Sequence, residues 1–259
     1  MIRKLAEALG RHIVIRRKLS NEYGGRAFYV SGEGGLGYLL KPSLRHVDSV
    51  LLRLAKEIIR PEYTVWDIGA NLGLFTFAAS GLAGAKGHVI AIEADIALVA
   101  LLRRSVSSSK GALSNVTILA AAISDTLGLG TFHIARRARA ANYLEGGGSS
   151  QTGGTREIHT VLTTSVDWLA KHLPLPDILK IDVEGLEGKV LCGASATICA
   201  SRPLILCEVS SEAQTSVTAC LRDHGYVLFD GEIASVNRPE ISVASWCTLA
   251  VPREKLGRG

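Results

Sequence analysis

The chain consists largely of short apolar runs separated by stretches with helical spacing. From Tyr63 onward the predicted strands are TVWDIG, HVIAIEA, NVTILAAAIS, DILKIDV, PLILCEV, YVLFD and WCTLAVP. The segments LFTFAASGLAG, IALVALLRRSVSSS, LEGKVLCGASATICAS and SSEAQTSVTACLRDHG predict helices between them. Mostly apolar strands that alternate with helices are typical of a parallel sheet covered on both faces. A Pro-containing loop joins the last two strands directly, which predicts one antiparallel hairpin.

Two regions depart from this alternation. Residues 1–60 are predicted to form an extension ahead of a single α/β domain at 61–259. Within the extension, MIRKLAEALGRHIVIRRKLS predicts a basic helix, AFYVSGEGGLGYLLKP a hairpin, and HVDSVLLRLAKEIIRP a second helix that ends at Pro61. Inside the domain, GTFHIARR and EIHTVLTTS predict two extra strands. The Gly-rich segment between them, which includes Asn142 and Tyr143, predicts either a mobile loop that contacts substrate or a disordered insertion.

Composition and charge narrow the class of protein. The 259 residues are 47% hydrophobic and 20% charged, which is typical of a folded globular chain. Mean hydropathy is +0.24, yet no apolar run reaches the ~18–20 residues of a membrane span. The net charge of +5 leaves open a peripheral membrane contact through the basic N-terminus. The absence of a basic-aromatic stripe disfavours nucleic acid. The five cysteines have no C-x-x-C spacing, which predicts free thiols in a reducing cytoplasm.

Acidic residues stand at the carboxyl ends of the predicted strands. They are Asp67, Glu93, Asp125, Asp182, Glu184 and Glu208. Ligands of open α/β sheets bind beyond these strand ends, so we expect the carboxylates to converge on one site. The turn from Gly69 to Gly73 lacks both G-x-G-x-x-G and a terminal Gly-Lys-Ser/Thr, which weighs against dinucleotides and triphosphates.

A carboxylate cluster favours a ligand that carries positive charge and hydroxyls. S-adenosylmethionine has a sulfonium, an ammonium and a ribose diol. We expect Asp67 at its amino-acid end and Glu93 at its ribose hydroxyls. We expect Gly69 and Gly73 to let the backbone approach the ligand closely. Tight binding of NAD(H) would instead indicate a nucleotide-dependent oxidoreductase.

Several of these motifs together resemble one family. VWDIGANLGLFT, IAIEAD, AAISDTLG, TVLTTSVDWL and LKIDVEGLEGKVLCGA followed by PLILCEV are similar to motifs of the FkbM family of S-adenosylmethionine-dependent methyltransferases. The family often has Phe-Glu-Pro where this chain has Ile92-Glu93-Ala94. The resemblance spans about Asp48 to Val209. It implies a Rossmann-like class I fold with a seven-stranded, mostly parallel sheet, and methyl transfer to oxygen, typically a hydroxyl of a sugar or natural product. The remaining cofactor contacts expected within these motifs are Asn71, Thr76, Ala94, Ser124, Asp125 and Asp182.

Four residues are candidates for catalysis: Asp182, Glu184, Glu208 and His159. Alternation places Asp182 and Glu184 on one face of the strand end. A competing interpretation has Asp182 touching only cofactor and Glu184 capping the helix near Leu186. His159, like His133, lies in an extra strand and is a candidate base because imidazole titrates near neutral pH.

The sequence leaves three functions open. The first is an O-methyltransferase that acts on a hydroxyl of a sugar, glycan or natural product. The second is a non-catalytic domain that binds cofactor or a partner. The third is a metal-assisted O-methyltransferase in which Asp182 and Glu208 hold a divalent ion, although no residue is assigned as a metal ligand. A nucleic-acid methyltransferase is the least supported, because IDVEG stands where base methyltransferases tend to carry Asp/Asn-Pro-Pro-aromatic.

Overall fold

The structure is a computed structural model that describes residues 13–109, 112–113, 115–136, 141–148 and 154–257. It begins with an antiparallel ribbon of β1 (Val14–Lys18) and β2 (Ala27–Ser31), followed by α1 (Gly37–Leu40) and α2 (Ser49–Ile58). The Asp48 carboxylate accepts a hydrogen bond from the Leu51 N–H and caps α2. This confirms the helix predicted before Pro61.

The other predictions for the N-terminal region are corrected. Residues 1–12 of the predicted basic helix lie outside the described residues, and Val14–Lys18 is a strand. Its side chains alternate between half-buried and exposed, and the run of basic residues hides that period. β2 pairs with β1, whereas Gly37–Leu40, the second half of the predicted hairpin, is helical. The Arg17 guanidinium donates to the carbonyls of Tyr38 and Lys41, which stabilises the end of that helix.

The rest of the chain follows the predicted alternation. Its elements are β3 (Thr64–Ile68), α3 (Leu74–Ala83), β4 (His88–Glu93), α4 (Ile96–Ser107), β5 (Val116–Ala120), β6 (Ala122–Ile123), β7 (Gly128–Ala135), β8 (Tyr143–Leu144), β9 (Thr155–Thr164), α5 (Val166–Leu169), β10 (Ile178–Ile181), α6 (Glu187–Cys192), α7 (Ser195–Ser201), β11 (Leu204–Glu208), α8 (Gln214–Asp223), β12 (Tyr226–Asp230) and β13 (Cys247–Pro252). Short 3-10 turns occupy Asn21–Tyr23, Gly32–Gly34, Leu44–His46, Ser235–Asn237 and Arg253–Lys255.

Seven strands form one sheet in the order β12-β13-β11-β10-β3-β4-β5. Every neighbouring pair is parallel except those of β13, which runs antiparallel to β11 and β12. This confirms the predicted mostly parallel sheet with a C-terminal hairpin. All five residues of β3 are buried, because helices cover both faces of the sheet. The N-terminal segment shares this core, and the Phe28 and Phe77 rings lie 4.7 Å apart.

A smaller sheet in the order β6-β9-β7-β8 lies beside the main one. It contains both predicted extra strands, which pair antiparallel. The predicted run NVTILAAAIS is divided at Ala121, so that Ala122–Ile123 joins the small sheet. Part of the predicted Gly-rich loop is strand β8, while residues 137–140 and 149–153 of that loop lie outside the described residues. No helix in the described ranges is long and apolar enough to span a bilayer.

Candidate active site

A cavity of about 290 Å³ lies at the carboxyl ends of β3, β4 and β10, the position expected for an open α/β sheet. Sequence-predicted residues in its lining are Gly69, Asn71, Glu93, Ala94, Asn142, Asp182, Glu184 and Glu208. The main sheet therefore brings seven of these predicted residues, all except Asn142, to one place. Tyr38, Asp48 and Leu51 close one side of the cavity, so the N-terminal segment also contributes to the wall.

The two glycines of the first turn are required by contacts within the protein. Gly69 has φ +73°, and a Cβ there would lie 1.8 Å from the carbonyl oxygen of Asp182. Gly73 has φ +88°, and its Cβ would meet the Phe77 ring at 2.5 Å. Gly73 is not in the cavity lining, and the expected approach of ligand to its backbone stays a prediction. The backbone of Gly69 lies close against the backbone of Asp182 at the end of β10, and this close packing positions Asp182.

Asp67 lies beneath the cavity instead of in its wall. Its side chain is fully buried, and Oδ2 accepts a hydrogen bond from the Thr76 hydroxyl at 2.5 Å. Oδ1 has no hydrogen bond of good geometry but lies 3.2 Å from Lys180 Nζ. Asp67 and Thr76 thus have a structural role, and their expected contacts with a cofactor stay predictions. The two side chains link the start of α3 to the Lys180 ammonium.

Lys180, which the sequence analysis missed, is the buried cation of the site. It is 3% exposed, and Nζ donates to the Gly69 carbonyl at 2.8 Å and lies 3.3 Å from Asp182 Oδ2. Burial by itself lowers the pKa of this amine, but attraction to Asp67, Asp182 and Glu208 raises it above its ordinary value. The available signal was a lysine between two apolar residues of a strand, directly opposite Asp67 in the parallel register.

Three carboxyl groups, those of Asp182, Glu184 and Glu208, line the cavity, and Asp182 and Glu208 act on the Lys180 ammonium. Repulsion from Asp182, followed by burial, raises the pKa of Glu208 above its ordinary value, and Lys180 opposes that shift. Burial, with repulsion from Asp182 and Glu187, raises the pKa of Glu184 to about 7. Glu208 therefore holds a proton more readily than an isolated carboxylate does.

Glu184 does not cap the following helix, which contradicts that interpretation of the sequence. The Gly185 N–H instead donates to Glu187 Oε1 at 2.7 Å. Glu184 has φ +52°, a conformation that non-glycine residues rarely adopt and that often marks a functional position. Its carboxyl group is thus left in the cavity wall next to Asp182.

Glu93 is held rigidly at the end of β4. Its two oxygens accept the N–H groups of Asn71 and Asp95, each at 2.8 Å. Burial raises the pKa of Glu93 to about 7, and the two N–H groups act against that shift. Its placement in the lining agrees with the expected position, and Asn71 and Ala94 lie beside it.

Small and apolar side chains form the opposite wall. Ala94, Ala121, Ala122, Ile123, Phe132 and Leu144 line it. Asn142 anchors this wall, because its Nδ2 donates to Asp95 Oδ2 at 2.7 Å and its Oδ1 accepts the Ala135 N–H at 2.8 Å. Tyr143 is not in the lining and stacks on His133 with ring centroids 4.8 Å apart. Asn142 itself also lines the cavity, so its predicted contact with substrate stays a prediction beside this structural link.

Three further predicted residues, Ser124, Asp125 and His159, do not line the cavity. Ser124 and Asp125 follow β6 in the small sheet, where the Ser124 hydroxyl donates to Asp125 at 3.0 Å. Asp125 does not join the other carboxylates because the strand run before it divides between the two sheets. His159 lies 3.1 Å from Glu157 on β9 and is not in the lining, so its predicted role as the base is not supported by its position.

A second cavity of about 190 Å³ adjoins the first and shares with it Asp48, Leu51, Lys180 and Glu208. Its remaining lining residues are Val50, Leu206, Glu232, Trp246 and Cys247. Among the described residues, no group of three or more His, Cys, Asp or Glu side chains is arranged to hold a metal ion. The positive charge beside Asp182 is that of Lys180.

Comparison with known proteins places the chain in a family. The profile of the Methyltransferase FkbM domain matches residues 67–228, more than half of the chain. No curated protein sequence matches it. Three solved structures are similar. Methyltransferase FkbM from Methylobacillus flagellatus KT is 16% identical, with 77% of this chain and 49% of that one covered and a TM-score of 0.48. Precorrin-6y C5,15-methyltransferase from Geobacter metallireducens GS-15 is 15% identical, with 78% of this chain and 83% of that one covered and a TM-score of 0.44. Aeropyrum pernix fibrillarin with bound S-adenosyl-L-methionine is 12% identical, with 86% of this chain and 77% of that one covered and a TM-score of 0.46.

The family match covers the strand-end motifs that build the larger cavity, from Gly69 after β3 to Glu208 at the end of β11. The sheet order and the closing antiparallel strand agree with the Rossmann-like fold of class I methyltransferases. The chain belongs to the FkbM family of S-adenosylmethionine-dependent methyltransferases.

Proposed function

We propose that the chain transfers the methyl group of S-adenosylmethionine to a hydroxyl of a sugar, glycan or natural-product small molecule. The observation that carries the proposal is the Asp182–Glu208 pair in the cavity wall, beside a buried ammonium. An alcohol is a weak nucleophile that needs a proton acceptor as it attacks. Repulsion from Asp182 gives the Glu208 carboxyl group a raised pKa and hence a greater basicity than an ordinary carboxylate has.

The residues of the larger cavity fit the cofactor. Asp182 and Glu184 offer negative charge to a cationic ligand, and Glu93 offers an acceptor at the end of β4 to a diol. The wall of small apolar side chains suits a flat aromatic ring. When bound, the cofactor supplies an electrophilic methyl group on a sulfonium. The protein then aligns the acceptor with it, and alignment of this kind can supply ~7–11 kcal/mol of the barrier reduction.

Glu208 is the proposed proton acceptor, and Lys180 is its positioning residue. Glu208 would take the hydroxyl proton as the acceptor oxygen receives the methyl group that bound S-adenosylmethionine would supply, with S-adenosylhomocysteine as the leaving product. Lys180 is held by Gly69 and Asp182, so the charge beneath Glu208 is fixed. The cytoplasmic location and the contact of the basic N-terminus with a membrane surface remain predictions from the sequence.

The test is release of S-adenosylhomocysteine across a panel of sugars and polyketide alcohols. Glu208→Gln should lower kcat by roughly 10²–10⁴-fold and remove the rise of kcat with pH, because the amide cannot take a proton. Glu212→Gln is the matched control, since Glu212 is exposed and outside both cavities. Cofactor binding without turnover on any hydroxyl would favour the non-catalytic alternative. An unchanged kcat in Glu208→Gln would remove Glu208 as the base.

A further inference from the structure

The smaller cavity is built mainly from parts of the chain outside the family match. Six of its nine lining residues precede residue 67 or follow residue 228. The larger cavity, in contrast, draws most of its lining from inside the match. The part of the chain that matches the family therefore builds most of the larger cavity, and parts outside the match build most of the smaller one. This division is expected when a common donor site adjoins a specific acceptor site.

The wall of the smaller cavity is held in place. The Arg53 guanidinium on α2 donates to the carbonyls of Gly231 and Glu232, at 2.7 and 3.0 Å. The Val209 N–H donates to the Trp246 carbonyl at 2.8 Å, which ties Trp246 to the end of β11. The Trp246 side chain is nonetheless 50% exposed. The backbone of Trp246 is thus tied to β11, and its large aromatic ring stands at the cavity edge, partly open to solvent.

The polar groups of this cavity are acidic. Asp48, Glu208 and Glu232 line it, and Lys180, its single basic lining residue, is already in contact with Asp67 and Asp182. Carboxylates accept hydrogen bonds from hydroxyl and ammonium groups and repel other anions. The C–H face of a saturated ring carries partial positive charge, which the negative face of an indole attracts. The combination suits a polyhydroxylated ring and disfavours a carboxylated or phosphorylated one.

We propose that the smaller cavity is the acceptor subsite and that it binds a carbohydrate ring without negative charge, stacked on Trp246 with its hydroxyls toward Asp48, Glu208 and Glu232. Because Glu208 and Lys180 line both cavities, a ring held there presents a hydroxyl to the proposed base at the boundary with the larger cavity. The inference rests on the proposed function for the chemistry, but it concerns binding that can be measured without methyl transfer.

The test measures quenching of tryptophan fluorescence by methyl glycosides of glucose, galactose and mannose, with S-adenosylhomocysteine present. The amino-sugar and uronic-acid counterparts are titrated in parallel. At least one neutral or amino glycoside should bind, and its uronic acid should bind at least about tenfold more weakly. Trp246→Ala should weaken the binding about tenfold or more, which NMR line broadening of the glycoside measures independently of fluorescence.

Trp168→Ala is the matched control, because Trp168 is 42% exposed, contacts His172 and lines neither cavity. Glu232→Lys should raise the affinity for the uronic acid, whereas Glu240→Lys, at an exposed position outside the cavity, should not. The proposed subsite is overturned if the uronic acid binds as tightly as the neutral glycoside, or if Trp246→Ala leaves the affinity unaltered. It is also overturned if no glycoside binds while another alcohol is methylated. In the last case methyl transfer itself would stand. Glycoside binding without any methyl transfer would instead contradict the proposed function.

Discussion

At the scale of single residues, Lys180 organises the charge of the site. It is almost completely buried, and carboxylates of three strand ends surround it. A carboxylate cluster without a cation would be strongly self-repelling. This explains how acidic residues can gather in one place in a chain of positive net charge. It also explains why Asp67, although it is part of the most recognisable motif, lies under the cavity and not in its wall.

Lys180→Met should destabilise the protein by roughly 3–5 kcal/mol, because it leaves buried carboxylates without their counter-charge. The free energy of unfolding in urea measures this. Lys86→Met is the control. Lys86 is highly exposed and pairs with Glu62 at 3.2 Å, so its loss should change the stability by less than about 0.5 kcal/mol.

The deficit of Lys180→Met should depend on pH. The Lys180 ammonium lowers the pKa of Glu208. In Lys180→Met the pKa of folded-state Glu208 should therefore rise further above its unfolded-state pKa. When the pKa of a carboxyl group is higher in the folded than in the unfolded state, the protein loses stability as the pH rises from the unfolded-state pKa through the folded-state pKa. The variant should therefore be closer to wild type at about pH 5 than at about pH 8. A deficit that grows on acidification would contradict the charge arrangement.

At the scale of elements, the turn between β3 and α3 sets the position of the β10 strand end. The sequence predicted both elements and the need for glycine, but it assigned the glycines to ligand approach. A single sequence shows that a position requires glycine without showing which neighbour requires it. The neighbour here is the backbone of Asp182, more than a hundred residues away along the chain.

Gly69→Ala and Gly84→Ala form a matched pair that separates backbone strain from collision. Both residues have φ +73°, but a Cβ at Gly84 meets nothing within 4 Å, whereas at Gly69 it meets the Asp182 carbonyl. Gly84→Ala should cost roughly 1–3 kcal/mol of stability from backbone strain alone, because φ +73° with ψ −173° lies in a region that is essentially reserved for glycine. Gly69→Ala should cost clearly more, and it should also weaken cofactor binding because Asp182 shifts. If urea unfolding shows equal losses of stability in the two variants, the predicted collision between a Cβ at residue 69 and the Asp182 carbonyl is ruled out.

Other elements show where sequence patterns were sufficient. The long parallel strands and their helices were predicted because burial on both faces leaves an unmistakable apolar run. β1 was missed because its basic residues mask a period of two. The assignment of Asp125 to the site failed because NVTILAAAIS reads as one strand, yet its end joins the small sheet. Which sheet a strand joins depends on tertiary pairing, which a local pattern does not record.

At the scale of the whole molecule, the chain divides its task between two regions. The central sheet builds the larger cavity from motifs common to the family, and the N-terminal segment and the β12–β13 connection enclose the smaller one. The sequence predicted the donor side because its residues follow strand ends in order. The smaller cavity was not predicted, since Asp48, Glu232 and Trp246 are brought together only by folding.

The most direct test of the central claim, a cofactor site at the strand ends, is calorimetric titration of S-adenosylmethionine into wild type, Glu93→Gln and Asp125→Asn. Wild type should bind one equivalent. Glu93→Gln should bind about ten- to a hundredfold more weakly, because hydrogen bonds to charged groups contribute ~1.5–3 kcal/mol. Asp125→Asn should bind like wild type, since Asp125 is exposed and outside the cavity. No binding by wild type, or equal losses in the two variants, would contradict the account.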